Sequence, residues 1–101
     1  MHNFRELNIW KKGMDLAKKV LSLTTSFPEE MKYGITAQIN RCAISIPSNI
    51  AEGSARTTNR DFSGFLVIAM GSAYELKTQR ILSWEINILT QSNRDSIINE
   101  F

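Results

Sequence analysis

Between Gln38 and Arg56, QINRCAISIPSNIAEGSAR, two stripes run side by side. Ile35, Ile39, Cys42/Ala43, Ile46 and Ile50 recur every three or four residues, the spacing that lines up one face of an α-helix. Gln38, Arg41, Ser45, Asn49, Glu52 and Arg56 keep the same spacing on a neighbouring face. One helix thus offers an apolar seam beside a row of hydrogen-bonding and charged groups. Pro47 sits in its midst. It has no N–H to donate and collides with the carbonyl four residues back, at a cost of about 3 kcal/mol or more. The pattern predicts a helix opened by Tyr33-Gly34 and running to about Ala55. Either it bends at Pro47, or it breaks and Pro47 starts a new helix at the first position, where proline is favoured.

The same spacing predicts a helix before it, from about Arg5 to Ser26, with Leu7, Trp10, Met14, Ala17, Val20/Leu21 and Thr24 on the apolar side. Phe27-Pro28 stops it, because the residue before proline is pushed out of the helical region. Past the polar joint Thr57-Thr58-Asn59, Thr58 with Asp61 fits a capping signal. A third helix follows to about Thr90, with Phe62, Phe65/Leu66, Ala69, Ala73, Leu76, Leu82, Ile86 and Leu89 on its apolar side. At 1.5 Å per residue that is a rod of about 48 Å. Ala69, Gly71, Ser72 and Ala73 are small enough for another helix to come close. Ser92 with Asp95 fits a second cap, ahead of a short helix from Asn93 to Glu100. The expected fold is all-α. It is one domain, residues 1–101, an up-down antiparallel four-helix bundle with a kinked second helix and a short fourth.

Composition narrows the function. The chain has 101 residues, enough for one core. Only five glycines and two prolines punctuate it, which agrees with helices rather than strands. A net charge of +2 permits contact with nucleic acid without demanding it. One cysteine, Cys42, cannot form an internal disulfide, which suits a reducing cytoplasm. Its place among apolar positions suits a small buried thiol better than a nucleophile. The N-terminus lacks the apolar core of a signal peptide, and no segment reaches the roughly 20 apolar residues of a membrane span.

FRELNIW, FPEEMKYGITAQINRCAISIPSNIAEGSAR and FSGFLVIAMGSAYELKTQ, in that order, cover nearly the whole chain. They resemble the four-helix-bundle proteins encoded in intervening sequences of bacterial 23S ribosomal RNA genes. The accessory variability protein of diversity-generating retroelements is related to that family. Gln38, Arg41, Ser45-Ile46-Pro47, Asn49-Ile50-Ala51-Glu52-Gly53 and Arg56 carry the likeness, with Gly71-Ser72 and Glu75-Leu76. The resemblance implies a ring-shaped homopentamer without enzymatic activity. For the retroelement relatives it implies binding to a reverse transcriptase and to nucleic acid. Two features depart from it: the short fourth helix and the small net charge.

The stripe Gln38, Arg41, Ser45, Asn49, Glu52 and Arg56, with Ser72 and Glu75 from the third helix, has three readings. The structural one comes first. Its polar groups satisfy the Ala43 carbonyl freed by Pro47, and Arg41 or Arg56 pairs with Glu52 or Glu75 within or between subunits. The second is a phosphate-binding face of Arg41, Arg56 and Arg60. The third, paired carboxylates Glu52 and Glu75, is weakest, since no base, nucleophile or metal ligand accompanies them. His2 lies at a terminus expected to be mobile. Trp10 and Trp84 suit core or interface packing better than base stacking. Lys11, Lys12, Lys18 and Lys19 form the densest positive patch, which symmetry would multiply in an oligomer. Taken together, the expectation is a non-catalytic oligomer with no cofactor, acting as a nucleic-acid-associated accessory or scaffold. The alternative is a protein-binding adaptor.

Overall fold

The structure, a computed structural model, describes residues 1–88. Among them are three α-helices: α1 (Asn8–Leu23), α2 (Ile35–Ser54) and α3 (Asn59–Glu85). No strand occurs among the described residues. The expected fourth helix, with its Ser92 cap, and the expected apolar position Leu89 lie outside them.

The helices form an antiparallel array with α2 in the middle, packed on α1 and on α3. Contacts fix the directions. Thr24 at the end of α1 donates its hydroxyl to Asn40 Oδ1 near the start of α2, at 2.7 Å. Gly13 lies against Ile46 and Pro47. On the other side Cys42 meets Ser72 and Glu75, while Gly53 meets Phe62 and Phe65. The core between them is Leu16, Ala17, Val20, Phe27, Ile39, Cys42, Ala43, Ile46, Ile50, Ala69 and Leu76.

α2 is one continuous element with Pro47 inside it. The Pro47 ring is buried against α1 at the level of Gly13. A Cβ at Gly13 would stand 3.4–3.5 Å from Ile46 and Pro47, in ordinary contact. α1 starts later than expected, because Leu7 is extended (φ −74°, ψ 125°) and separates it from a 3₁₀ turn at Phe4–Glu6. It also ends earlier, at Leu23 rather than Ser26; a 3₁₀ turn at Thr24–Ser26 follows, and Phe27 is extended (ψ 151°) ahead of Pro28, the expected stop. The Thr58 cap also stands, its Oγ1 accepting from the Asp61 N–H at 3.1 Å.

α3 departs from expectation twice. It stops at Glu85 rather than Thr90, because Asn87 takes the left-handed conformation (φ 66°). Asn87 N–H then donates to the Trp84 carbonyl (3.1 Å), and Ile88 N–H to the Ser83 carbonyl (3.0 Å). These two bonds form a Schellman cap, with Ile88 packed on the core. Second, Leu82 and Ile86 point away from the core, 46 % and 44 % exposed, while Arg80 and Ser83 are buried. Steps of three or four residues from Leu76 lead to 80 and 83, not to 82. α1 shows a similar rotation: Gly13 and Leu16 are buried, and Leu21 is exposed.

Candidate functional site

The polar row on α2 stays together. At 100° per residue Gln38, Arg41, Ser45, Asn49 and Glu52 fall within roughly a quarter-turn, while Arg56 lies just past the end of α2. That sector borders α3. Gln38, Arg41, Glu52 and Arg56 are exposed, while Ser45 and Asn49 are half-buried. At the centre, Ser45 Oγ donates to Ser72 Oγ at 2.6 Å and lies 2.9 Å from the Cys42 carbonyl. Asn49 Nδ2 donates to the Ser45 carbonyl at 2.7 Å. The bonds therefore go to the carbonyls of Cys42 and Ser45. None goes from the stripe to the Ala43 carbonyl, contrary to expectation. Side chains on the α3 side of α2 cannot reach round to a carbonyl on the α1 side.

The expected ion pairs are not formed either. Among the described residues Arg41, Arg56, Glu52 and Glu75 make no salt bridge within the chain. These side chains stand in water, so no burial forces them to pair. Arg56 instead lies over the Phe65 ring, 4.7 Å from its centroid. Glu75 sits 3.7 Å from the Cys42 thiol, which also donates to the Ser72 carbonyl at 3.0 Å. Burial, then the nearby Glu75 charge, raises that thiol from the ordinary value near 9 to about 11. Cys42 is therefore protonated and unreactive at neutral pH.

The structure does not bring Glu52 and Glu75 together. Glu75 pairs with position 42, and Glu52 stands ten residues further along α2, roughly 15 Å away. Gln38, Arg41, Cys42, Ser45, Glu75 and Gln79 line one open hollow of about 350 Å³. Arg56 and Arg60 share a different one of about 480 Å³ with Asp61, Gly64, Phe65 and Ile68. Arg41 is thus separate from the other two arginines.

Lys11, Lys12, Lys18 and Lys19 are all exposed on α1, on the side away from Gly13, Leu16, Ala17 and Val20. Helical geometry places them as two pairs about 100° apart, with Asp15 between. Lys18 borders a groove of about 310 Å³ between α1 and α2, lined by Trp10, Met14, Leu21, Ile44 and Pro47.

His2 is not loose. Its N–H donates to the Ser54 carbonyl at 2.8 Å and its ring lies 5.1 Å from that of Phe62. Both tryptophans pack on the core, and Trp10 meets Phe4 edge-on at 5.1 Å. Trp84 is half-buried, in line with the packing expected of it, whereas Tyr74 is 66 % exposed. Sequence reasoning missed Arg80, 6 % exposed beside Val20, Phe27, Ile39 and Leu76 and not left unpaired. Counting on from Leu76 by helical steps would have found it. Among the described residues no three of His, Cys, Asp and Glu come together as a metal would require, and no helix is long and apolar enough to cross a membrane.

Residues 5–101 match the sequence model of the 23S rRNA-intervening sequence protein family. The chain belongs to that family. Compared with the curated proteins, it matches none. Membership agrees with the all-α structure, and the matched range includes the α2 stripe, the α1 lysines and the whole of α3.

Proposed function

We propose that this family member is a non-catalytic, self-assembling accessory protein that holds nucleic acid by its phosphates. The observation that carries the reading is the outward side of α1, where Lys11, Lys12, Lys18 and Lys19 stand exposed and clear of the core. Arg56 and Arg60, sharing one hollow at the α2–α3 joint, supply a second positive site. Arg41 stands apart on the α2 stripe. A net charge of +2 is small for one chain, but assembly repeats each patch by symmetry and builds a stronger field. Family membership, named for an insert in a ribosomal RNA gene, favours structured RNA as the first ligand to try. The resemblance to the five-membered rings makes five the first copy number to test.

Binding to structured RNA and to duplex DNA, titrated at two salt concentrations, tests this. Affinity should fall with salt, and each lysine changed to Gln should lower the slope of log K on log salt by about 0.7–0.9. No binding at low salt by the assembled protein rejects the reading.

The alternative is an adaptor for another protein, a reverse transcriptase being the candidate that the retroelement resemblance suggests. The observation favouring it is the apolar outer side of α3, where Val67, Met70 and Tyr74 are at least 60 % exposed. Recovery of a reverse transcriptase from a mixture treated with nuclease would support it over nucleic-acid binding.

A further inference from the structure

Phosphate contact through the α1 lysines leaves the middle of the α2 polar row without a role. There Gln38, Arg41 and Ser45 face Ser72, Glu75 and Gln79 of α3 across the seam between the helices, since Ser45 bonds Ser72 and Cys42 bonds Glu75. The open hollow of about 350 Å³ above that seam has room for one planar base. Two features of its walls stand out. Arg41 and Glu75 carry opposite charges, yet they pair neither with each other nor with any described residue. Gln79 Oε1 is buried and accepts no hydrogen bond, which costs free energy until a donor arrives. A ligand here meets an acceptor-only carboxylate on the α3 wall and a donor-only guanidinium on the α2 wall. A cationic group would suit Glu75 and be repelled by Arg41, and an anionic one the reverse. A neutral, rigid group with donors along one part of its edge and acceptors along another answers both.

We propose that this hollow takes the edge of an unpaired guanine in RNA. Guanine alone among the four bases has two adjacent donors on its pairing edge, N1–H and N2–H, and both oxygens of Glu75 accept them. Its O6 and N7 are the acceptor pair to which an arginine donates, and Arg41 supplies the donors. The second N2 hydrogen goes to Gln79 Oε1, one turn along α3 from Glu75. The other bases fit worse. Adenine sets its bare N1 against Glu75, uracil sets two carbonyls there, and cytosine offers one donor group only. Guanine in a duplex has this edge occupied, so the base comes from a loop, a bulge or an end. Lysine contacts to phosphate carry no sequence information, whereas this slot reads it. It depends on the nucleic-acid contact proposed above and adds a base preference to it.

The full, assembled chain and a set of RNA hairpins differing in one loop base test it. The guanine hairpin should bind about tenfold more tightly than those with adenine, uracil or hypoxanthine, which is guanine without its N2 amine. Glu75→Gln should weaken the guanine hairpin about tenfold and erase its advantage over hypoxanthine, with an unchanged helical circular dichroism spectrum. Lys18→Gln should weaken every hairpin alike. Guanosine monophosphate should displace the guanine hairpin at lower concentration than inosine monophosphate does. Equal affinity for all the hairpins overturns the slot and leaves phosphate contact standing. No binding to any hairpin at low salt overturns both. A Glu75→Gln chain that comes apart in light scattering marks the hollow as a contact between subunits and overturns the slot.

Discussion

Gly53 on α2 and Gly71 on α3 are the same residue in two regions that differ in everything else. Gly53 faces the inner side of α3, where an added Cβ would lie 2.6 Å from Phe65 Cβ and 3.0 Å from Phe62 Cδ1. Gly71 faces outward into open space. Inside, the missing side chain is already used: it lets two helices touch at the α2–α3 joint. Outside, it leaves a vacancy that no part of the described chain fills. A glycine in a helix weakens it by roughly 0.5–1 kcal/mol relative to alanine. The inner one recovers that through packing within the chain. The outer two, Gly64 and Gly71, recover it only if something packs against them.

Gly53→Ala is the hardest test of the inner region. The obstructing atom is a Cβ, fixed to the backbone, so relief requires α3 to shift. Loss of about 3 kcal/mol is expected, at the upper end for overpacking a tight site. Thermal unfolding should move down by on the order of 15 °C. A shift of only a degree or two would mean that the joint is loose and that the contrast with Gly71 fails.

Cys42 probes the same interface through pH. Its thiol is raised from near 9 to about 11, first by burial and then by Glu75. The folded chain therefore holds that proton more tightly than the unfolded chain. The resulting stability is complete below pH 9 and is lost as pH rises through 11, because the unfolded thiol ionises first. Across that window the wild type should lose about 2 kcal/mol more than Cys42→Ala, measured by urea unfolding at each pH. Parallel curves for the two proteins would place Cys42 in a wetter, less closed site.

Much of the inner region was legible in the sequence. The α2 double stripe, the Phe27-Pro28 stop and the Thr58 cap each depend on residues close in the chain, and local spacing reports those faithfully. Three things were not. The spacing left Pro47 open between a bend and a break, and only the packing of α1 on α2 shows its ring buried within one continuous helix. The end of α3 depended on Asn87 adopting a left-handed conformation, a choice hidden in the sequence between Ile86 and Leu89, which keep helical spacing. The register of α3 slipped at Leu82 because both sides of that helix carry large apolar residues. For the candidate site, spacing found the α2 row and the α1 lysines. It could not tell that Arg41 stands apart from Arg56 and Arg60, or that Glu52 and Glu75 lie far apart, because those facts belong to how α3 lies on α2.

Ser45 and Ser72 mark the rim between the two regions, and a mutant cycle measures how well it is sealed. Their 2.6 Å bond is half-buried, so Ser72→Ala should cost about 1 kcal/mol by leaving Ser45 one partner fewer. Ser45→Ala should cost a similar amount. The double variant should cost less than the sum, because neither partner is then left wanting. Strict additivity in the cycle would show that water already serves both hydroxyls, and the rim would then belong with the outer region.

The smallest effect has the opposite sign. Gly64→Ala and Gly71→Ala each add a Cβ that meets no atom of the described chain within 4 Å. In the separated chain, at protein concentrations too low for assembly, each should therefore stabilise α3 by roughly 0.5–1 kcal/mol, the helix-propensity difference alone. Urea unfolding under those conditions reads it directly. The comparison across concentrations is the informative result: a helix surface meant for water gains from alanine at every concentration, whereas one meant for another helix gains only while it stands alone.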